Sequence, residues 1–146
     1  MNKLPRFEWN ESLKTGITSI DAQHRELVQA VNDLADAIEQ GQGTRAIQQL
    51  LTFMKYYAEW HFNHEESVAE AHRCPVAEVN RRAHLQFVQM FQNWQQRYRA
   101  SQADDRVALE IHRHLADWLV GHIMRVDKQI GEHVCFQKCQ SEFPGC

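Results

Sequence analysis

Residues 44–72 read TRAIQQLLTFMKYYAEWHFNHEESVAEAH, and the spacing of their apolar side chains decides the fold. Apolar residues recur there at steps of three and four, which is the period of a helix with one buried face. The same stripe continues through His61 and Glu65, so the buried face turns polar toward its carboxyl end. We predict a helix from about Thr44 to His72, capped by Thr44. The stripe comprises Ile47, Leu51, Met54, Ala58, His61, Glu65 and Val68.

Three other segments carry the same period and predict three more helices. The first runs from about Ser19 to Gln40; its TSID start resembles a capping box, and Gly41 is a fitting stop. The next starts near Pro75, a favoured first-turn residue, and the last begins near Asp104 or Asp105. Their stripes are Ile20, His24, Leu27, Val31, Leu34 and Ile38; Asn80, His84, Phe87, Phe91, Trp94 and Tyr98; and Val107, Ile111, Leu115, Trp118 and His122.

Four helices joined by short loops predict an all-α, up-down-up-down antiparallel four-helix bundle. We find no strand-like alternation of useful length. Residues 1–18 are expected to form an irregular arm whose Phe7, Trp9 and Leu13 fold back onto the bundle. We assign residues 1–133 to the bundle with its arm, and residues 134–146 to a short cysteine-containing tail.

Composition narrows the function classes. The chain has 146 residues, 43% hydrophobic and 24% charged, which fits one globular domain. A formal charge of −3 argues against nucleic-acid binding. No apolar run approaches the length of a membrane span, and the first residues do not resemble a signal peptide. We therefore expect a cytoplasmic protein with no membrane partner.

A few polar residues interrupt the four apolar stripes, and they are predicted to meet at one level along the bundle axis. In an antiparallel bundle, the starts of the first and third helices lie at the same end as the ends of the second and fourth. Every exception falls at that end, and buried polar groups need partners. The exceptions are His24, His61, Glu65, Asn80, His84 and His122, with Asp127 close behind.

Four histidines and two carboxylates at one level indicate a metal site. They exceed what a tetrahedral structural zinc uses, and suit two ions roughly 3.5–4 Å apart that share the carboxylates. His61 and Glu65 are four residues apart and point the same way. His122 and Asp127 are five apart, about 140° off in a regular helix, so a π-bulge is needed to align them. Ligand type alone leaves iron, zinc, copper, nickel and manganese open.

The remaining histidines lie off the stripes and are interpreted as solvated. His112 and Asp117 repeat the five-residue spacing, but sit further along the bundle, so we interpret them as unrelated to the site. The histidines interpreted as solvated are His64, His72, His112, His114 and His133. A ferritin-like di-iron site is disfavoured because no glutamate precedes a histidine by three residues.

At these residues the sequence resembles a bacterial hemerythrin along nearly its whole length, from FEWNESLKTGITSIDAQHREL through HFNHEES and AHRCP to ADWLVGHIMRVDKQIG. The resemblance implies a non-haem, carboxylate-bridged pair of iron ions that binds O2 reversibly. It also implies that Trp118 and Leu119 wall an apolar O2 pocket. No residue is assigned a catalytic role. By this resemblance one iron is held by His24 and His61, the other by His84 and His122, and Glu65 and Asp127 bridge them.

One ligand departs from the family pattern. Asn80 stands where the family has a fifth histidine, so this position is a weak or vacant ligand. Three functions stay open: O2 storage, delivery or sensing; a di-iron enzyme acting on O2, peroxide or NO; and a metal-depleted or single-metal sensory bundle. The protein partner that a sensor would need is unknown.

The cysteines are the other departure. Cys135, Cys139 and Cys146 cluster near the carboxyl end, and the first two are four residues apart. A redox pair or a metal clip is one interpretation, and a reduced, flexible tail is the other. In a cytoplasm the second is favoured.

Overall fold

The computed structural model describes residues 4–142, with side chains as far as residue 137. A short 3-10 helix at Glu11–Leu13 interrupts the arm, and every other regular element in the described range is a helix of the bundle. Strands are absent from residues 4–142. The helices are α1 (Thr18–Glu39), α2 (Thr44–Ala71), α3 (Ala77–Ala100), α4 (Asp105–His122) and α5 (Lys128–Glu142).

The helices close into a ring. Each of α1 to α4 packs against the next in sequence, and α4 returns to pack against α1. Short connections between consecutive helices make neighbours antiparallel. The predicted antiparallel four-helix bundle is therefore confirmed. Its centre is apolar and fully buried, with Leu34, Leu51, Phe91, Ile111 and Leu115 among the core side chains.

The first three helices begin within two residues of their predicted starts, but the residues predicted to cap or open them are wrong. The TSID segment is not a capping box, because Ile17 precedes α1 and gives no side-chain cap. Gly43, at φ 95°, takes the place predicted for the Thr44 cap, since only a residue without a Cβ enters that conformation easily. Pro75 lies in the turn before α3 rather than in its first turn. Asp104 does cap α4, accepting a hydrogen bond from the Arg106 amide.

The amino-terminal arm is tied to α1 along its length. The Phe7 amide donates to Asn32 Oδ1 at 2.9 Å, and Asn32 Nδ2 donates to the Phe7 carbonyl at 2.8 Å. Arg6 forms ion pairs with Asp36 and Glu39. Leu13 is buried, and the Phe7 and Trp9 side chains pack against the core. The prediction that these three residues fold back onto the bundle is confirmed.

The arm ends in a turn that α1 and α5 hold in place. Asp21, near the start of α1, accepts hydrogen bonds from the Thr15 amide and hydroxyl at 2.8 Å, and from the Gly16 amide at 3.2 Å. The Thr15 carbonyl packs directly on Gly131, where a side chain would overlap it. The Asp21 carboxylate, which the TSID pattern indicated as part of a helix cap, instead caps the turn at the end of the arm.

The last helix runs on without a break. A π-helical segment, Ile123–Asp127, joins α4 to α5, and α5 crosses the predicted boundary between bundle and tail. The division of the chain into a bundle that ends at residue 133 and a tail that begins at residue 134 stays a prediction. Cys74 is buried and Cys135 half-buried, and both are free thiols. The Cys139 side chain and Cys146 lie outside the described part, so the predicted cysteine pair is untested. Among the described helices, none combines the length and apolarity that a membrane span requires.

Candidate metal centre

The seven polar residues predicted to converge all lie at one end of the bundle, and all are buried. His24 lies near the start of α1, and His61 and Glu65 lie late in α2. Asn80 and His84 lie early in α3, and His122 ends α4. Glu65, Asn80 and His24 have no measurable exposure to solvent. Four different helices therefore contribute polar side chains to one level of the bundle, and solvent does not reach it.

Six of these side chains form two overlapping groups. Within each group the potential ligand atoms lie within 4.8 Å of one another. Glu65 and Asp127 belong to both groups, as expected where two cations share two carboxylates. The first group is His24, His61, Glu65 and Asp127; the second is Glu65, His84, His122 and Asp127.

A π-helix brings the last carboxylate into the centre. Residues Ile123–Asp127 form one wide turn, which accommodates one more residue than an α-turn. Asp127 consequently points to the same side as His122, and its Oδ1 lies 3.1 Å from His122 Nε2. The predicted π-bulge is confirmed.

The donor set fits cations, because several of its atoms have no other partner. His24 Nε2 lies 3.0 Å from Asp127 Oδ2 and 3.3 Å from Glu65 Oε2. These contacts lack the alignment of a hydrogen bond. His24 Nε2, both Glu65 oxygens and Asp127 Oδ1 are buried without a hydrogen-bond partner among the described residues. Such orphaned atoms are rare in folded proteins, and metal ions between them would satisfy all of them.

The electrostatics of this level favour an ionised Glu65 and protonated His24 and His122. Burial lowers the pKa of His24, but Asp127 and Glu65 outweigh it and raise that pKa to about 9. The same causes raise the pKa of His122 to about 9. Burial would raise the pKa of Glu65, yet the surrounding histidines hold it well below its usual value. Without metal, the Glu65 carboxylate stays charged, and its low pKa goes with the raised pKa values of His24 and His122.

Two of the histidines are oriented by side chains outside the centre. His61 Nδ1 lies 2.6 Å from Gln23 Oε1, and His84 Nδ1 lies 3.0 Å from Glu66 Oε2. Such partners direct the other ring nitrogen at a metal and tune its basicity. Sequence reasoning missed Gln23 and Glu66. Each of them contacts a histidine on a different helix: Gln23 of α1 contacts His61 of α2, and Glu66 of α2 contacts His84 of α3. Helical spacing within one segment therefore gives no signal of either contact.

Aromatic rings cover two of the histidines. Phe62 stacks on His84 with ring centroids 3.9 Å apart, and Trp118 stacks on His122 at 4.5 Å. Each pair is within 10° of parallel. The rings keep solvent from this side of the second group and fix the imidazole planes. Phe62 was not anticipated from the sequence.

Asn80 lies at the second group, as its place on the stripe predicted. Its Oδ1 is 2.9 Å from His122 Nε2, and its Nδ2 has no hydrogen-bond partner among the described residues. The amide oxygen therefore reaches the point toward which His84 and His122 converge. Whether it acts as a ligand stays a prediction.

An apolar cavity lies one helical turn further into the bundle. Its volume is about 20 Å³, enough for one molecule about the size of water. Each of the four bundle helices contributes a residue three positions from its histidine, namely Leu27, Ala58, Phe87 and Leu119. Trp118 also lines the cavity, so the two residues predicted to wall an apolar pocket do border one. The other lining residues are Val31, Met54 and Leu115.

The five histidines outside the centre were predicted to be solvated, and the structure confirms this for only one of them. His114 is exposed, but His112 is buried, so its solvated interpretation is wrong. His112 shares a helix side with Ala108 and Ala116, because the bundle buries a wider face than one stripe. It belongs to neither ligand group, and Asp117 is exposed, as expected of residues unrelated to the site. The half-buried remainder all have hydrogen-bond partners: His64, His72 and His133.

The four-helix fold and the two buried ligand groups define a metal-binding protein of the helical-bundle class. A family profile described as the hemerythrin HHE cation binding domain matches residues 15–134. The chain belongs to that family, as its motifs indicated. It is 31% identical over 119 residues to a bacteriohemerythrin of Pseudomonas aeruginosa, covering 82% of this chain and 75% of the relative. Bacteriohemerythrins of Stenotrophomonas maltophilia and Methylococcus capsulatus are 27% and 28% identical over 86% and 80% of this chain, and over 80% and 87% of their own lengths.

Proposed function

We propose that this chain holds two iron ions at its polar level and binds O2 reversibly, for storage, delivery or sensing. The observation that carries the proposal is that Glu65 and Asp127 belong to both ligand groups. Two cations can share two carboxylates only where both carboxylates face both cations. Iron is the metal implied by the family resemblance, and the relatives named above are bacteriohemerythrins.

The residues fall into three roles toward the metals. His24 and His61 would hold one iron, and His84 and His122 the other. Glu65 and Asp127 would bridge the two, and Asn80 would offer a weak neutral oxygen to the second. When bound, ferrous iron would supply the electrons that O2 accepts.

The chain's own apolar residues would keep the bound gas dry. The side chains that line the cavity beside the centre are apolar, and none of them is an acid that could protonate a bound gas. Trp118 lies at the junction of centre and cavity, since it lines the cavity and stacks on His122. Excluding water and protons suppresses side reactions, which favours reversible binding over turnover.

Metal loading followed by gas cycling tests the proposal. The full chain would be loaded with ferrous iron without air, and iron per chain measured by elemental analysis. We expect two irons per chain, and an absorbance change on adding O2 that reverses on removing it. One iron or fewer, or two irons with no reversible change, would contradict the proposal.

A second candidate function follows from Asn80. If both irons have a labile position, the centre would turn over O2, peroxide or NO as an enzyme. Rapid irreversible oxidation with consumption of one of these substrates would support that reading. One metal per chain would instead favour a single-metal sensory bundle. The same loading experiment therefore separates all three.

A further inference from the structure

The π-turn at Ile123–Asp127 carries two side-chain hydrogen bonds that the proposed function does not use. Arg125 Nε donates to the Gly121 carbonyl at 3.2 Å, and Gln129 Nε2 donates to the Arg125 carbonyl. Both bonds span four residues, and both donors belong to exposed side chains. Gly121 lies in the last turn of α4, and Arg125 lies within the π-turn. The two bonds therefore lie where the helix changes its period.

A change of period inside a helix leaves backbone groups short of partners. In the π-turn the Lys128 amide donates to the Ile123 carbonyl, five residues back rather than four. The junction consequently resembles the carboxyl end of a helix, where the last carbonyls lack amide donors. Cationic side chains satisfy such carbonyls and interact favourably with the negative end of the helix dipole. Arg125 thus caps α4 at the point where its regular period ends.

Gly121 gives the Arg125 side chain the room to form this cap. A β-carbon at position 121 would lie 2.6 Å from Arg125 Nη2 and 3.4 Å from Cζ, so the guanidinium lies directly over the glycine. Any side chain at position 121 would compete with the guanidinium for that space. The two residues are therefore complementary, because the glycine exposes a carbonyl and the arginine four residues later covers it.

The period of this turn decides which side chain reaches both ligand groups. With the π-turn, Asp127 Oδ1 lies 3.1 Å from His122 Nε2, and Asp127 Oδ2 lies 3.0 Å from His24 Nε2. In an uninterrupted α-helix Val126 would follow His122 by one turn, and Asp127 would point about 140° away from it. An α-turn would thus replace the shared carboxylate with an apolar side chain. Only the π-turn completes the centre.

We propose that Arg125 is a positioning residue for the metal centre: its hydrogen bond to Gly121 stabilises the π-turn and so keeps Asp127 at both ligand groups. The inference rests on the proposed function only in treating Asp127 as the shared carboxylate. Buried Ile130 and Val134 hold α5 in the same phase. Loss of the Arg125 donor should therefore loosen the π-turn rather than abolish it.

Amide hydrogen exchange in the metal-free full chain, followed by NMR, tests the effect on the turn directly. Arg125→Met removes the donor and keeps the helix propensity, since Arg, Met and Gln are similar in that respect. We expect exchange of the Lys128 amide to quicken roughly five- to tenfold, the usual contribution of one hydrogen bond. Arg125→Gln should keep most of the protection, because Gln129 already donates at the same spacing. Arg113→Met, at an exposed arginine of α4, should leave Lys128 exchange unchanged.

Iron retention against a chelator tests the consequence for the centre. Because Asp127 belongs to both ligand groups, Arg125→Met should weaken the binding of both metals together, by roughly tenfold. Arg125→Gln should retain iron nearly as well as the parent chain, and Arg113→Met should match the parent. Circular dichroism of the three variants checks that they fold.

Three results would overturn the proposal. The first is unchanged Lys128 exchange in Arg125→Met, and the second is equal quickening in Arg125→Met and Arg125→Gln. The third is faster exchange with unchanged iron retention, since the turn would then not position Asp127. A parent chain that holds fewer than two irons would contradict the proposed function instead, and the exchange rates alone would then decide whether Arg125 holds the turn.

Discussion

The Oδ1 atom of Asn80 lies 2.9 Å from Nε2 of His122, within the second ligand group. Asn80 precedes His84 by four residues, so both side chains face this group from α3. An amide oxygen is a neutral and weaker ligand for iron than imidazole. The two groups therefore offer two histidines each, where the family pattern gives one of them three.

Asn80→His should tighten binding of the second metal. The imidazole would reach the same point as the amide and supply the stronger donor, so we expect roughly a ten- to hundredfold gain in affinity at that position. Competition with a chelator, read as iron retained per chain, measures the gain. Oxidation of the loaded protein in air should also slow. Identical retention and oxidation rates in the two proteins would show that the substitution at position 80 has no consequence.

Glu66→Gln should loosen the second metal without unfolding the bundle. The Glu66 carboxylate accepts from His84 Nδ1 at 3.0 Å, which strengthens the opposite nitrogen as a donor. A neutral amide would do this less, so we expect roughly a tenfold loss of affinity at that position. Glu70→Gln is the matched control, because Glu70 is an exposed glutamate on the same helix. Equal chelator sensitivity in both variants would remove Glu66 from the site.

Filling the apolar cavity should impair gas binding and spare the metals. Ala58→Val adds two methyl groups to the wall of a cavity of about 20 Å³. We expect two irons per chain and a markedly lower O2 affinity, measured by optical titration. Ala108→Val is the control, since Ala108 is equally buried and does not line the cavity. Both changes overpack the core, at a cost of about 1–3 kcal/mol. Equal O2 affinity in the two variants would mean that the cavity is not used.

The metal-free protein should lose stability as the solution becomes alkaline. The pKa of His24 rises from 6.5 to about 9 in the fold, against the effect of burial, because Asp127 and Glu65 attract the proton. A raised folded-state pKa gives stability that is complete below pH 6.5 and lost as the pH passes through about 9. His122 behaves in the same way.

Thermal unfolding in the presence of a chelator, followed by circular dichroism, measures this loss. We expect the midpoint to fall between pH 6.5 and about 9, and His24→Gln to flatten the decline. Metal affinity should rise over the same interval, because metal displaces the protons from these rings. A midpoint that climbs through the interval would contradict the assignment of charge.

Gly131→Ala should destabilise the fold by displacing the arm. A methyl group there would overlap the Thr15 carbonyl, which is backbone and cannot move alone. We expect a loss of about 1–3 kcal/mol in chemical unfolding. Gly121→Ala is the control, since its added carbon meets only the mobile tip of Arg125 at 2.6 Å. That change should be neutral, or stabilise the helix by up to about 1 kcal/mol. Similar losses in both would mean that the arm is not held at Gly131.

The ligand level was predictable because helical period and topology act together. A 3.6-residue repeat places His61 and Glu65 on the buried face of α2, and the antiparallel order carries His24, His84 and His122 to the same end. Asp127 required a π-turn, and the five-residue spacing from His122 indicated it. His112 was misjudged because a stripe of one residue per turn understates how wide a face a bundle buries.

The sequence by itself determined the four helices, their antiparallel order and the end at which polar side chains collect. Periodicity and chain direction are local properties, and a single sequence contains both. Only the tertiary structure decided that Glu65 and Asp127 face both ligand groups, and that Gln23 and Glu66 orient His61 and His84. It also decided that Asp21 caps the arm rather than its own helix. Contacts between helices depend on helix rotation and side-chain rotamers, which packing fixes only when all four helices are assembled.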